Sequence, residues 1–280
     1  MLLVIDVGNT TIVYGVYKDN ELVHDFRIST DKIRTSDEYG LIFMNSLTHS
    51  NIDPSVIYDV IISSVVPNLT HTLSSMSIKF FNKKPTFVSS ELKLGLNINY
   101  DNPKEVGADR IVNAVAVIKL YKIPAIIIDI GTAMTFCIID EDKNYLGGMI
   151  LPGIGISSEA LFQRTSKLPK IEIIKPEVLI SPNTVGAIQS GLYYGYTTML
   201  DGIIEKILEN KNWRNDEVSI VATGGFSNLL CSDSKYNIII NRDLTLEGLK
   251  IIYDMNNKVI FWLNFLWLQW QDILIEPLDN

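Results

Sequence analysis

The segment LLVIDVGNTTIVYGVYKDNELV, residues 2–23, recurs in outline as AIIIDIGTAMTFCIIDEDKNYLGG at residues 125–148. In each segment an apolar run ends in Asp-x-Gly, a short polar turn follows, and two further strand-like stretches return. Asp6 corresponds to Asp129, which lies 123 residues later. A repeat with this spacing is too long for a solenoid and predicts two homologous lobes.

Helices and strands alternate after each of these three-strand units. A capping-box pattern at residues 35–38 predicts a helix to about His49, and Pro103 is predicted to open a long helix that runs to about Tyr121. This order, in duplicate, predicts an α/β fold of mixed sheets flanked by helices. We expect an N-terminal lobe over residues 1–117, which includes most of the helix from Pro103. A C-terminal lobe over 118–257 and an atypical hydrophobic tail over 258–280 are expected to follow.

The composition disfavours several classes of protein. The 280 residues include 24 Lys and Arg against 32 Asp and Glu, and the resulting net charge of −8 disfavours nucleic-acid binding. Cys137 and Cys231 lie far apart, and the three histidines have no ligand-like spacing, so no zinc site is expected.

Met1 leads directly into an apolar strand without the basic segment of a signal peptide, so we expect a cytoplasmic protein. The apolar stretch 259–270 is too short to span a bilayer, so no membrane partner is expected.

The turn after the first strand contains residue types that bind a nucleotide phosphate. Gly8 lets backbone N–H groups approach a phosphate, and the side chains of Asn9, Thr10 and Thr11 add hydrogen-bond donors. Asp6 can hold a magnesium ion that neutralises the β- and γ-phosphate oxygens. A Gly-Asn pair is also ordinary in a β-hairpin, so one copy of this turn is better explained without a ligand.

A second Asp-x-Gly turn in the matching place favours the phosphate interpretation. Asp129, Gly131 and Thr132 repeat the pattern, which predicts two turns that face each other across a cleft and clamp one phosphate chain. This duplication resembles the actin-like, ribonuclease-H-like ATPase fold of the actin and sugar-kinase superfamily. The motif ATGG at 222–225 follows a strand where that superfamily contacts adenosine, although a plain strand-to-helix turn is the commoner explanation.

A candidate site for the phosphoryl acceptor lies at residues 99–110. Gly107 and Ala108 leave the backbone bare for a ligand, and they precede a carboxylate, Asp109, and a guanidinium, Arg110. Asp109 can take a proton from an acceptor hydroxyl, and Arg110 can bind a substrate carboxylate through its two-pronged donor geometry. A solvent-exposed helix would explain both charges without a ligand, but the following turns are apolar nearly all round and favour burial.

The longest motifs resemble those of one family, the type III pantothenate kinases. They are, in chain order, DVGNT at 6–10, YDNPKEVGADRIVNAVA at 100–116, IDIGTAMTF at 128–136, GGMILPGIGISSEALFQRTSKLPKIEI at 147–173, NTVGAIQSGLYYGY at 183–196 and ATGG at 222–225. The resemblance implies transfer of the γ-phosphoryl group of ATP to pantothenate, which forms 4'-phosphopantothenate in the first step of coenzyme A biosynthesis. It also implies a homodimer, ATP with Mg²⁺, and a monovalent cation, K⁺ or NH₄⁺.

The same resemblance implies a role for individual residues. Asp109 would be the catalytic base, Asp6 would hold magnesium, and Asp129 would coordinate the monovalent cation. The residues implied in ATP binding are Asp6, Val7, Gly8, Asn9, Thr10, Thr11, Ile12, Val13 and Thr132. The residues implied in pantothenate binding are Tyr100, Gly107, Ala108, Asp109, Arg110 and Thr184.

The chain departs from the family pattern in a few places, and two other functions stay open. Met134 and Cys137 stand where Thr and Asp are more usual, Thr198 replaces a common glycine, and the tail 258–280 has no counterpart in the family. One alternative function is a non-catalytic nucleotide-binding regulator of the same superfamily. The other is a kinase of a different small hydroxy acid, which would share the ATP site and differ only beside Asp109 and Arg110.

Overall fold

Two mixed sheets form the framework of the protein, whose computed structural model describes residues 1–257. The strands of the first sheet are β1 (Leu2–Val7), β2 (Thr11–Lys18), β3 (Glu21–Ser29), β4 (Asp59–Ser64) and β5 (Thr86–Phe87), in the order β3-β2-β1-β4-β5. The central strand β1 runs antiparallel to β2 and parallel to β4. Its burial on both faces agrees with its nearly continuous apolar sequence.

The second sheet repeats this arrangement. Its strands are β6 (Asn97–Ile98), β7 (Ala125–Ile130), β8 (Ala133–Ile139), β9 (Asn144–Pro152), β10 (Ser219–Thr223) and β11 (Ile238–Ile240), in the order β11-β10-β7-β8-β9-β6. Without β6, the order is that of the first sheet, with β7 in the place of β1. The prediction of a duplicated fold of mixed sheets is therefore confirmed.

Helices cover the sheets and fill the space between them. They are α1 (Ser36–His49), α2 (Thr70–Phe81), α3 (Ala108–Leu120), α4 (Ile154–Arg164), α5 (Thr184–Lys211), α6 (Ser227–Cys231) and α7, which extends over 244–257. The predicted capping box at the start of α1 is present, because the Thr35 hydroxyl accepts the Glu38 backbone N–H while Glu38 accepts the Thr35 backbone N–H at 2.7 Å. None of the helices in the described residues is long and apolar enough to cross a membrane.

The predicted helix from Pro103 to about Tyr121 is wrong in its first part. Pro103–Glu105 form a single 3₁₀ turn, Val106 and Gly107 are extended, and α3 begins only at Ala108. The physical reason is local capping: the Asn102 side chain accepts the backbone N–H of Lys104 and donates to Glu105, which closes the turn. Asp109 consequently lies in the first turn of α3 rather than in the middle of a longer helix.

Three hydrophobic cores stabilise residues 1–257, and the central one joins the two lobes. It contains the apolar face of α3 together with side chains from β1, β4, β7 and β8, and it also contains Leu244, Leu246, Leu249 and Ile252 of α7. The proposed division at residue 117 stays a prediction, and β6 belongs to the second sheet although it precedes that boundary. The predicted tail 258–280 lies outside the described residues.

Candidate active site

The two Asp-x-Gly turns face each other, as the duplication predicts. Asp6 lies one residue before the end of β1, and Asp129 lies one residue before the end of β7. Between the turns, the Thr132 hydroxyl donates a hydrogen bond to the Thr10 hydroxyl at 2.9 Å. The tips of two turns that lie 122 positions apart in the sequence are therefore in direct contact.

The first turn is a pinned hairpin with polar side chains at its tip. The Gly8 N–H donates to the Thr11 carbonyl oxygen at 3.0 Å, and the Gly8 carbonyl oxygen accepts the Thr30 hydroxyl at 2.6 Å. The side chains of Asn9 and Thr10 are exposed and available to a ligand. This geometry includes the plain hairpin that the sequence also allowed, and it adds donors at the cleft.

Three apolar members of the predicted ATP-binding segment have a different environment. Val7 and Ile12 are completely buried in the core of the first lobe, and Val13 packs against the central core. Their side chains are therefore not free to contact a nucleotide. Any contact from these positions would come from the backbone.

A glycine turn after β10 packs against the second aspartate turn. Gly224 has a φ of +92°, and a Cβ at this position would lie 2.6 Å from the Ile130 carbonyl carbon and 2.7 Å from Asp129 Oδ1. Only glycine therefore fits here without displacing the neighbouring backbone. The ATGG motif thus lies beside Asp129, and a nucleotide contact at this turn stays a prediction.

Asp6, Asp109 and Asp129 form one electrostatic cluster. Burial and the charges of Asp109 and Asp129 raise the pKa of Asp6 to about 7. Burial and the charge of Asp109 raise the pKa of Asp129 to about 7, against a hydrogen bond from Asn113. Burial also raises the pKa of Asp109, although the Arg110 backbone N–H and guanidinium oppose the rise. Burial is the largest cause of all three shifts, and neighbouring carboxylates add to it for Asp6 and Asp129, so a bound cation would favour the charged form of these groups.

The donor set fits cations that share their ligands with phosphate. In residues 1–257 no group of three histidine, cysteine, aspartate or glutamate side chains lies close enough together to hold a metal ion. Mg²⁺ is commonly held by one or two carboxylates together with substrate phosphates and water, and oxygen ligands suit it. Asp6 and Asp129 provide such carboxylates beside the two Asp-x-Gly turns.

Tyr100, Asp109, Cys137 and Tyr145 lie near the guanidinium of Arg110. Burial lowers the pKa of Arg110, but neighbouring Tyr145, Cys137 and Asp109 outweigh this effect and raise it, as does a contact with the Tyr100 hydroxyl. The Tyr145 hydroxyl donates to the Cys137 sulfur at 3.3 Å. A half-buried, permanently charged Arg110 beside aromatic groups is suited to binding a carboxylate.

Gly107 keeps the approach to the Asp109 carboxylate open. A Cβ on Gly107 would lie only 2.5 Å from Asp109 Oδ1. The same oxygen accepts the Arg110 backbone N–H at 2.8 Å, so the carboxylate is oriented by the first turn of α3. Gly107 and Ala108 therefore lie beside the candidate base, as the sequence predicts.

Thr184 is not joined to these residues. It is the exposed first residue of α5, and within residues 1–257 no hydrogen bond connects it with Tyr100, Asp109 or Arg110. Its neighbour Asn183 caps the helix by accepting the Gly186 N–H at 2.9 Å. The role of Thr184 in pantothenate binding stays a prediction.

Sequence reasoning missed two buried polar residues of the site. Asn113 is 2% exposed and donates to Asp129 Oδ2 at 3.3 Å. Ser63 is completely buried opposite Asp6 in the register of β1 and β4, close enough to oppose the rise in the pKa of Asp6 but outside ordinary hydrogen-bond geometry. The signal for Asn113 was present, because a lone amide in an apolar helix must have a partner.

Comparisons with known proteins identify the family of this chain. The family model described as Type III pantothenate kinase matches residues 2–206. A type III pantothenate kinase from Finegoldia magna is 53% identical over 258 residues, which cover 92% of this chain and 98% of the relative.

Solved structures with low sequence identity show the same fold. One from Campylobacter jejuni, described as a Baf family transcriptional activator, has a TM-score of 0.58 at 17% identity and covers 91% of this chain and 99% of that chain. A ROK family glucokinase from Streptomyces griseus, in complex with glucose and AMPPNP, has a TM-score of 0.51 at 12% identity, with 92% and 99% coverage. The predicted two-lobe fold of mixed sheets flanked by helices is confirmed. The residues matched by the family model and by the Finegoldia relative show that this chain belongs to the type III pantothenate kinase family.

Proposed function

We propose that this chain transfers the γ-phosphoryl group of ATP to the hydroxyl group of pantothenate, forming 4'-phosphopantothenate and ADP for coenzyme A biosynthesis. The observation that carries the proposal is the convergence of both Asp-x-Gly turns with Asp109 in a chain of this family. Phosphoryl transfer requires positioning and charge stabilisation more than covalent chemistry by the protein. The cleft offers both.

The ATP phosphates would lie between the two turns. Asn9, Thr10 and Thr11 would donate from the first lobe, and Thr132 from the second, to oxygens of the phosphate chain. Asp6 would hold Mg²⁺, and Asp129 would hold the monovalent cation, K⁺ or NH₄⁺. When bound, these cations neutralise charge on the transferring phosphoryl group.

Asp109 would act as the general base. Its carboxylate would accept the proton of the pantothenate hydroxyl while the hydroxyl oxygen bonds to the γ-phosphorus. The bond between the γ-phosphorus and the β–γ bridging oxygen breaks, and ADP leaves with that electron pair. Burial raises the pKa of Asp109, which brings the base closer to the operating pH.

Arg110 would orient pantothenate through its carboxylate. Its half-buried guanidinium lies beside Tyr100 and Tyr145, and the bare backbone at Gly107 and Ala108 leaves space between the carboxylate site and the base. Arg110 would hold the carboxylate of the acceptor and Asp109 would contact its hydroxyl group. An acceptor would therefore be selected by the distance between its carboxylate and its hydroxyl group. This geometric selection distinguishes pantothenate from other hydroxy acids.

The homodimer belongs to the same proposal. Large exposed apolar side chains occur on β9, on α4, in the segment before α5 and at its start: Ile150, Phe162, Val178, Leu179, Ile180 and Val185. A second copy of the chain would remove these side chains from water, and the exposed Thr184 directly precedes Val185 in the sequence. We expect Ile180→Asp, at a side chain 88% exposed, to shift the protein to monomers in sedimentation analysis, whereas Ile33→Asp, at one 92% exposed, leaves the dimer intact.

The decisive experiment measures ADP release by the purified protein with pantothenate and with other small hydroxy acids. Each acceptor is tested with and without potassium, and sodium serves as the ionic-strength control. Pantothenate-dependent, potassium-stimulated ADP release is expected. ADP release that needs another hydroxy acid would assign a different substrate, and nucleotide binding without acceptor-dependent ADP release would indicate a regulator. Cell fractionation tests the expected cytoplasmic localisation.

A further inference from the structure

Asn113 is a buried amide whose two ends are both occupied. Its Nδ2 donates to Asp129 Oδ2 at 3.3 Å, and its Oδ1 accepts the Thr245 hydroxyl at 2.8 Å. It lies one helical turn after Asp109, on the same side of α3, and is 2% exposed. Burial of an amide is costly unless its hydrogen bonds are made, so this arrangement is specific.

The three residues come from three elements that are distant in sequence. Asp129 is in β7, Asn113 in α3 and Thr245 in the first turn of α7. The ionised carboxylate only accepts, so in that state the Asn113 NH₂ group faces it and the amide oxygen faces Thr245. The reversed amide would place oxygen against oxygen at Asp129.

Close packing of α7 on α3 holds Thr245 at this position. Gly248, three residues later on the same side of α7, lies against Val112, and a Cβ there would lie 2.7 Å from Val112 Cγ1 and would also collide with the Val112 carbonyl oxygen. The absence of a side chain at Gly248 therefore lets the two helices approach. The approach places the Thr245 hydroxyl over the Asn113 amide.

The other oxygen of Asp129 is directed to the ligand turns. Cβ atoms built on Gly224 and Gly131 would lie 2.7 Å and 3.4 Å from Oδ1, respectively. Oδ2 is therefore bound by Asn113, while Oδ1 lies beside the two glycine turns. The rotation of the carboxylate is thus set from behind by a side chain that the ligand does not need to touch.

We propose that Asn113, held in orientation by Thr245, is a positioning residue that directs Asp129 Oδ1 towards the cation and phosphate site. This inference rests on the proposed function, because it assigns to Asp129 the cation role given above. It also gives α7 a function beyond packing, since the last described helix holds the amide that orients a carboxylate of the site.

The test uses the full chain and compares variants of the two positioning residues. Thr245→Val keeps the side-chain shape and removes the hydroxyl, Thr245→Ser keeps the hydroxyl, and Asn113→Ala removes the amide. The matched control is Thr197→Val, because Thr197 is also shielded and donates its hydroxyl to a carbonyl, that of Tyr193, at 2.7 Å. The probe is ADP with magnesium, titrated by calorimetry at low and high potassium chloride without pantothenate.

Asn113→Ala is expected to weaken potassium-dependent ADP binding by about 10-fold, and Thr245→Val by about 3-fold. Thr245→Ser should bind as the wild type does, and turnover should fall in the same variants without a change in the KM for pantothenate. Wild-type binding by both Asn113→Ala and Thr245→Val would overturn the proposal, as would an equal loss in Thr197→Val. Absence of pantothenate-dependent ADP release by the wild type would instead refute the proposed function, because the ADP titration requires no acceptor.

Discussion

The helices α3 and α7 occupy corresponding places in the two lobes but contribute differently to the site. Each follows the strands of its own lobe, and both pack into the central core between the sheets. In its first two turns α3 presents Asp109, Arg110 and Asn113, whereas α7 presents a mainly apolar face and the hydroxyl of Thr245. The duplication therefore provides two equivalent helices, and the residues proposed to act on the acceptor lie on only one of them.

The strands that contain Asp6 and Asp129 differ much less from each other than α3 and α7 do. Asp6 is opposite Ser63 in the neighbouring parallel strand, and Asp129 is opposite Thr223 in the same relation. Both carboxyl groups have a pKa raised to about 7. The proposed phosphate and cation site is therefore nearly symmetric, while the proposed acceptor site is not. Substitutions on α3 should affect one substrate, and substitutions in the turns should affect the other.

The largest effect is expected for Asp109→Asn. Loss of the general base should lower turnover by about 10²- to 10⁴-fold while ATP binding is retained. Steady-state kinetics and calorimetric titration of nucleotide measure the two quantities, and Asp142→Asn, at an exposed hairpin turn, is the control. Turnover close to that of the wild type would remove Asp109 from the role of base.

Arg110→Ala should affect the acceptor far more than ATP. Loss of a charge-assisted hydrogen-bond pair to a carboxylate should raise the KM for pantothenate by about 10- to 100-fold and leave the KM for ATP within about 3-fold of the wild type. Arg214→Ala is the control, since Arg214 pairs with Asp216 at the surface. An equal increase in both KM values would contradict the asymmetric acceptor site.

The raised pKa of Asp129 predicts that its contribution to stability depends on pH. A carboxyl with a folded pKa of about 7 stabilises the fold fully below its unfolded pKa near 4, and this contribution is lost as pH rises through about 7. In chelator and without nucleotide, the wild type should therefore lose on the order of 2 kcal/mol of unfolding free energy between about pH 5 and about pH 8 relative to Asp129→Asn. Urea unfolding at each pH measures the difference, and parallel curves for the two proteins would refute the prediction.

The smallest effects are expected in the two turns, and they should be similar in size. Thr10→Val and Thr132→Val should each raise the KM for ATP by about 2- to 10-fold, because each removes one hydroxyl from the phosphate cleft. Their effects should not be additive, since the two hydroxyls contact each other at 2.9 Å. Thr48→Val, at an exposed position of α1, is the control. A raised KM for ATP in only one of the two variants would show that the two turns do not contribute equally to ATP binding.

Local sequence patterns predicted many of the elements because they depend on near neighbours in the chain. The capping box predicted the start of α1, and the repeated Asp-x-Gly pattern predicted two lobes with mixed sheets. The helix from Pro103 was wrong because two local preferences competed, and the side-chain cap at Asn102 closed a single turn before Gly107. Proline at a first helical position predicts where a helix can begin but not whether it continues.

The candidate site was only partly predictable. Asp6, Asp109, Arg110 and Asp129 stand out because charged groups in apolar surroundings require partners. Asn113 was equally visible as a lone amide in an apolar helix, yet its partner could not be inferred. Its hydrogen bonds reach residues 16 and 132 positions away, and no periodicity encodes such distances.

The sequence alone therefore determined the duplication, the family and the two aspartates of the repeated motif, Asp6 and Asp129. These follow from the order of residues along the chain and from the burial that each segment requires. Packing in three dimensions was needed to bring Thr10 to Thr132 and to place Thr245 on Asn113. Contacts of this kind depend on how closely helices and sheets approach, and the approach of α7 to α3 is set by a missing side chain at Gly248.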